Sequence, residues 1–177
     1  EVPLPDSKDY TTWYSTLDGL LYQLELLQQS PGDPPSVSGW PAYYQIPSFH
    51  ELWINNDTYP RRTQFTDIMV YNGFTRLGFE LKMDTIAFAR SLSNPGDPKA
   101  LLDDSLATLY RIALSDAAKE QLKRDLLRTG QTNDYYWTNA WNTYIANPGD
   151  MMAYQTVHTR LNELYRYLLA LPEYQLS

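Results

Sequence analysis

The sequence predicts an all-α fold: a single-domain bundle of about six helices over residues 1–177, with one long ordered loop at about residues 30–57. Apolar residues recur at three- and four-residue intervals along most of the chain. Residues that cap helices precede these segments. No segment of comparable quality alternates apolar and polar residues as a strand does. A chain of 177 residues is long enough for one domain with a hydrophobic core.

The first predicted helix runs from Lys8 to Gln29, after a lead-in that contains two prolines. The turn-forming residues 30–35, Ser-Pro-Gly-Asp-Pro-Pro, end it. Its apolar residues fall on one helical face, which we expect to pack inward. They are Trp13, Leu17, Leu20, Leu21, Leu24 and Leu27.

The second predicted helix begins at Asp57 or Thr58, either of which can serve as its cap, and tolerates Pro60 in its first turn. Gly73 is a suitable terminator. Residues 74–83 have no helical period, so they are predicted to be irregular or weakly extended. A short helix is predicted over residues 84–92.

Four further helices are predicted between residues 98 and 170. Each follows a residue that can cap a helix: Asp97, Ser115, Asn133 or Asp134, and Asp150. The last is the clearest, from Met151 to Ala170, and Pro172 is expected to end it. The predicted inward residues of these four helices are Leu102, Leu106, Leu109, Ala113, Leu122, Leu126, Leu127, Trp137, Ala140, Trp141, Tyr144, Ile145, Tyr154, Val157, Leu161, Leu164, Tyr165 and Leu168.

The long loop is rich in aromatic residues, which favours order over disorder. Gly39 and Pro41 restrict the backbone on either side of Trp40, so this ring is predicted to point in a defined direction. We predict that Trp40 and Trp53 are buried anchors of the loop. Arg61 and Arg62 follow the loop, and one of them, with Arg61 as the candidate, is expected to donate hydrogen bonds to loop carbonyls. The predicted structural anchors are thus Gly39, Trp40, Pro41, Trp53 and Arg61.

Composition excludes several functional classes. A net charge of −7 argues against nucleic acid as a partner, because binding it requires Lys and Arg to neutralise phosphates. No window approaches the length of about 20 apolar residues that a membrane span needs. With no cysteine and only two histidines, His50 and His158, the sequence offers no recognisable metal pattern. No catalytic motif is present either, so neither catalytic residues nor a cofactor is predicted.

Several motifs resemble the domain-of-unknown-function family 1800. Its elements Pro-Pro-x-Val-x-Gly-Trp-Pro, Trp-(Ile/Leu)-Asn and a terminal Pro-Glu-(Phe/Tyr)-Gln correspond here to residues 34–41, 53–55 and 172–175. The resemblance is to the C-terminal portion of longer members. It implies a piece of an exported bacterial protein, located in the periplasm or outside the cell. It carries no activity and no catalytic residues.

Two functional hypotheses follow from the sequence. The first is a non-catalytic interaction or scaffold domain that binds a protein partner or an upstream part of the same chain. The second is a glycan-binding module in which loop aromatics stack on sugars while amide and guanidinium groups bond the hydroxyls. Its candidate residues are Trp40, Tyr43, Tyr44, Trp53, Asn55, Asn56 and Arg62.

Overall fold

The computed structural model describes residues 10–34, 36–40, 53–76 and 78–175. Contacts within the chain divide it into two compact units, residues 1–83 and residues 84–177. The all-α class is confirmed: the described residues contain eight α-helices and one two-stranded hairpin. One domain over residues 1–177 stays a prediction.

The described residues of unit 1 form two helices and the hairpin. Helix α1 spans Tyr10–Leu26, helix α2 spans Thr58–Tyr71, and strands β1 (Phe74–Arg76) and β2 (Phe79–Leu81) pair antiparallel. Helix α1 contacts both strands and α2. The hairpin lies within the stretch predicted to be irregular or weakly extended. Three-residue strands are too short for their alternation to be recognised in sequence.

Gly73 ends α2, as predicted. Its backbone has φ of +74°, which favours glycine, and a Cβ here would lie 2.6 Å from the Glu80 carboxylate oxygen Oε1. The amide of Gly73 donates to the carbonyl of Ile68 at 2.7 Å, which satisfies one carbonyl of the last turn. The close approach to Glu80 allows the hairpin to follow the helix directly.

Unit 2 consists of helices only among its described residues. They are α3 (Thr85–Arg90), α4 (Pro98–Leu109), α5 (Asp116–Leu122), α6 (Tyr135–Ala146), α7 (Met151–Ala170) and α8 (Pro172–Gln175). A π-helical turn, Lys123–Leu127, continues α5, and the amide of Arg128 donates to the carbonyl of Lys123 at 2.9 Å. Helix α7 ends just before Pro172, as predicted, and Pro172 begins a further single turn, α8.

Capping side chains set most helix starts in unit 2. Asp84, Asp97, Ser115 and Asp150 each accept a hydrogen bond from a backbone amide two or three residues later. At α6 the carbonyl oxygen of the Asn133 side chain accepts from the amide of Tyr135, whereas Asp134 does not cap. These polar contacts satisfy amides that a helix leaves without partners at its start.

Helix α7 forms the centre of the core of unit 2, packing against α3, α6, α8 and the π-helical turn. The largest enclosed side chains are Trp137, Tyr165, Leu101, Leu102, Leu127, Leu161, Leu164, Leu168 and Val157. Most of the predicted inward residues are confirmed. Ile145 and Tyr154 are exceptions, with 44% and 37% of their surface exposed. Ala113 is also exposed, because α4 already ends at Leu109. Leu109, Leu126 and Ala140 are half-buried.

Candidate functional site

Two tryptophans of the predicted loop, Trp40 and Trp53, meet in the structure. The ring centroids of Trp40 and Trp53 lie 6.4 Å apart, with the ring planes inclined by 50°, within the range of favourable aromatic pairs. Both residues are half-buried, and not fully buried as predicted. The contact brings together two positions that lie 13 residues apart in the chain, while part of each residue stays accessible.

Gly39 has a left-handed backbone conformation immediately before Trp40. It has φ of +92°, and a Cβ added to it would meet nothing within 4 Å. The need for glycine is therefore conformational, and no neighbouring atom imposes it. The amide of Gly39 donates to the carbonyl of Ser36 at 2.9 Å, which closes a turn immediately before the tryptophan. Pro41, Tyr43 and Tyr44 lie outside the described residues.

Asn55 begins α2 through a reciprocal cap. Its side-chain oxygen accepts from the amide of Thr58 at 2.9 Å, while its own amide donates to the Thr58 hydroxyl oxygen at 3.0 Å. The Thr58 hydroxyl donates in turn to the carbonyl of Trp53 at 2.8 Å. Asp57 occupies the N-cap position, as predicted, but its side chain makes no capping bond, and Asn55 supplies the oxygen in its place. A residue nominated for sugar binding thus has a structural role.

Three other residues predicted as a loop anchor or as sugar-binding residues, Arg61, Arg62 and Asn56, have different surroundings. Asp57 accepts from Nε of Arg61 at 3.0 Å, so Arg61 forms an ion pair with the residue just before its helix. The predicted bond from Arg61 to loop carbonyls stays a prediction. Arg62 is half-buried and lies one turn after the enclosed Thr58, on the inner face of α2. Asn56 is exposed.

An open groove of about 730 Å³ runs along α2. Tyr59 stands at one end and Tyr71 at the other, with Gln64 and Asp67 between them. Tyrosine rings, and amide and carboxylate groups such as those of Gln64 and Asp67, are side-chain groups that contact sugars and peptides. The groove is not apparent from the sequence, because its residues are spaced as on any half-exposed helix.

Helix α1 exposes part of the face predicted to pack inward. Tyr10, Tyr14 and Leu21 are exposed over 56%, 60% and 51% of their surface, and Leu17 and Leu24 are half-buried. At 100° per residue these five residues form one stripe along the helix. We call it the α1 stripe. Residues 13, 20 and 27 form a neighbouring row that is more enclosed, and Leu27 is buried.

Charged residues in unit 2 form ion pairs around the π-helical turn. Arg128 is buried, and its Nη1 donates to Asp134 at 2.7 Å and to the carbonyl of Thr132 at 2.8 Å, while its Nη2 bonds Glu120. Lys123, also buried, lies 2.7 Å from Glu120. Hydrogen bonds from Lys123 and Arg128 hold the pKa of Glu120 below its usual value.

Asp103 lies at the edge of the same charged surface. Its carboxylate bonds Lys119 and Lys99 at 2.8 Å each, and these contacts lower its pKa, with Lys119 the larger cause. The adjacent Asp104 accepts from the amide and hydroxyl of Ser93. Each of the two carboxylates therefore has bonding partners of its own within unit 2.

A row of aromatic rings leads from the core of unit 2 to its surface. It passes through Trp137, Trp141, Tyr144 and Tyr154, with successive centroids 5.9, 6.0 and 6.2 Å apart. The ring of His158 stacks on Tyr154 at 5.3 Å. His158 therefore packs at the outer end of this row. Among the described residues, no group of three or more His, Cys, Asp or Glu side chains could hold a metal ion.

The described residues thus define a helical protein whose surface includes partly exposed aromatic and apolar side chains. The chain belongs to the family described as protein of unknown function (DUF1800), whose model matches residues 8–176. This confirms the resemblance noted in the sequence. Neither the curated proteins nor the solved structures give a significant match. No helix in the described part of the chain is long and apolar enough to cross a membrane.

Proposed function

We propose that this chain is a non-catalytic interaction domain that binds a protein partner through the α1 stripe. The observation that carries the proposal is the exposure of Tyr10, Tyr14 and Leu21 on one helical face. Isolated exposed apolar residues are ordinary, but a run of them along one face is typical of an interaction surface. Tyrosine suits such a surface because its ring contributes contact area at low entropic cost.

Site-specific crosslinking tests the proposal. A photoreactive amino acid at position 21 of the full-length protein, expressed in its natural host, should give one discrete protein adduct that mass spectrometry can identify. The same group at the exposed Gln155 of α7 serves as the control. Tyr14→Lys should reduce the adduct at position 21. Absence of an adduct, or equal yields from positions 21 and 155, would reject the α1 stripe as a binding surface.

Export to the periplasm or the cell exterior is part of this proposal and rests on the family resemblance alone. Fractionation of cells that produce the full-length protein tests it. The protein should be recovered with periplasmic or secreted markers. Recovery with cytoplasmic markers would contradict this part of the proposal and leave the interaction surface unaffected.

A glycan-binding module is the second candidate, and the half-buried Trp40 and Trp53 pair supports it. Tilted rings with accessible parts can contact the apolar face of a sugar. Calorimetric titration with soluble oligosaccharides of several linkages is the test. Trp40→Ala and Trp53→Ala should each abolish the heat of binding, while Tyr135→Ala, which removes an exposed ring of unit 2, should not. Absence of binding to every oligosaccharide by the parent chain would remove this candidate.

A further inference from the structure

The α1 stripe has the spacing of a coiled-coil seam. Tyr10, Tyr14, Leu17, Leu21 and Leu24 alternate in steps of four and three residues. In heptad terms Tyr14 and Leu21 occupy a positions, and Tyr10, Leu17 and Leu24 occupy d positions. From Tyr10 to Leu24 the stripe is about 21 Å long at the rise of an α-helix. This length and spacing match one α-helix of a partner as occupant.

The two edges of the α1 stripe differ in chemistry. On one side the e positions are Thr11, Asp18 and Glu25; Thr11 and Glu25 are exposed and Asp18 is half-buried. On the other side the g positions are residues 13, 20 and 27, whose side chains are apolar and more enclosed. A helix bound on the stripe would therefore meet carboxylates along one edge only. In coiled coils the charges at these edges determine the choice of partner.

We propose that the occupant of the α1 stripe is an amphipathic helix of a different protein, with apolar residues in its seam and Lys or Arg along the edge that faces Asp18 and Glu25. This inference rests on the proposed interaction function and specifies the partner. Opposite charges at such an edge favour the correct partner, and like charges disfavour a wrong one.

A second copy of this chain is a poor occupant. In an antiparallel pair of identical helices the e edges face each other, which would place Asp18 and Glu25 of one copy against the same carboxylates of the other. A parallel pair would need the g edge of one copy against the e edge of the other. That g edge is apolar, so the carboxylates of the e edge would meet no cation there.

Three synthetic helical peptides test the inference against the intact chain. They share a seam of Leu and Ile, are monomeric at the concentrations used, and carry Lys, Gln or Glu at the positions facing the acidic edge. Fluorescence anisotropy of labelled peptide should give at least about 10-fold tighter binding for the Lys peptide than for the Glu peptide at low salt. The ratio should fall to about 2-fold in high salt, because ions screen exposed charges.

Two variants identify the surface. Asp18→Asn combined with Glu25→Gln should remove the preference for the Lys peptide while retaining binding through the seam. Leu21→Asp should weaken the binding of all three peptides. Circular dichroism should show unchanged helix content for this variant, because Leu21 is 51% exposed.

The outcomes separate the two proposals. Equal affinity for the three peptides, with loss on Leu21→Asp, would overturn the basic edge and leave the interaction function standing. Failure of the Lys peptide to bind would overturn this inference, while the crosslinking at position 21 decides the proposed function independently. Sedimentation of the free chain as a dimer that Leu21→Asp dissociates would identify a second copy as the occupant and overturn the proposed partner.

Discussion

Asn55 and Thr58 each accept a hydrogen bond from the other's backbone amide, at 2.9 and 3.0 Å. Such a reciprocal cap satisfies an amide of the first turn of α2 and fixes the chain where it leaves Trp53. We expect Asn55→Ala to lower the free energy of unfolding by about 1 kcal/mol, and Asn55→Asp, which retains an acceptor oxygen, to lower it less. Urea denaturation followed by circular dichroism measures both.

Asn56 provides the matched control for the cap. It has the same side chain one position later and is exposed, so Asn56→Ala should change the free energy of unfolding by less than about 0.5 kcal/mol. Equal losses from the two substitutions would show that the cap does not distinguish these residues.

Trp137 and Trp40 should differ in their contributions to stability. Trp137 is fully buried, and its indole nitrogen donates to the carbonyl of Pro95 at 2.8 Å. Trp137→Ala should cost about 3–5 kcal/mol, whereas Trp40→Ala should cost about 1–3 kcal/mol because less apolar surface is lost from contact. Urea unfolding monitored by far-ultraviolet circular dichroism compares the two variants. A larger loss for Trp40→Ala would contradict their relative burial.

We expect Arg128 to stabilise the connection between α5 and the start of α6, because it bonds groups on both. Its removal leaves Lys123 as the remaining cation beside Glu120 and Asp134, and it leaves the carbonyl of Thr132 without its donor. Arg128→Ala should therefore lower the free energy of unfolding by about 2 kcal/mol, because hydrogen bonds from a buried guanidinium are lost. Arg128→Lys should recover only part of this loss, because an ammonium group lacks the planar fork of donors.

Arg166 is the control for this substitution. It lies 3.8 Å from Glu163 in an ion pair with both side chains about half exposed. Arg166→Ala should change the free energy of unfolding by about 0.5 kcal/mol or less. Thermal melts of the two alanine variants, recorded side by side, would contradict the structural role of Arg128 if their midpoints coincide.

Two buried tyrosines should make the protein sensitive to alkali. Burial raises the pKa of Tyr165 to about 12 and also raises that of Tyr110, whose hydroxyl donates to the carbonyl of Leu168 at 2.6 Å. The folded pKa lies above the unfolded value of about 10. The stability from the neutral hydroxyls is therefore complete below about pH 10 and is lost as the pH rises through about 12.

A spectrophotometric titration of tyrosinate formation measures this effect. Most tyrosines should ionise near their usual pKa, and a late fraction should ionise together with the loss of the circular dichroism signal. Tyr165→Phe should reduce the late fraction and lessen the alkaline loss of stability, whereas Tyr135→Phe, at an exposed position, should do neither. Simultaneous ionisation of all the tyrosines while the fold is intact would contradict the burial of these hydroxyls.

The sequence alone determined the helical class, the positions of most helices and most of the core of unit 2. Capping side chains such as Asp97, Ser115 and Asp150 act within three residues of chain, so their effect can be predicted locally. The inward face of α7 was predictable because the regular recurrence of Val157, Leu161, Leu164 and Leu168 is a property of the helix itself. The family motifs were likewise visible in sequence.

Only the tertiary structure decided which apolar residues are covered and which polar groups act as caps or ion pairs. Leu21 lies on the predicted apolar face of α1 but is exposed, because burial depends on which elements pack against a helix and not on its own period. Asn55 caps α2 in place of Asp57 because the turn after Trp53 brings its side-chain oxygen to the amide of Thr58. Pairs such as Ser105 and Tyr165, whose hydroxyl oxygens lie 3.2 Å apart, join residues 60 positions apart in the chain, and no local pattern encodes a contact at that separation.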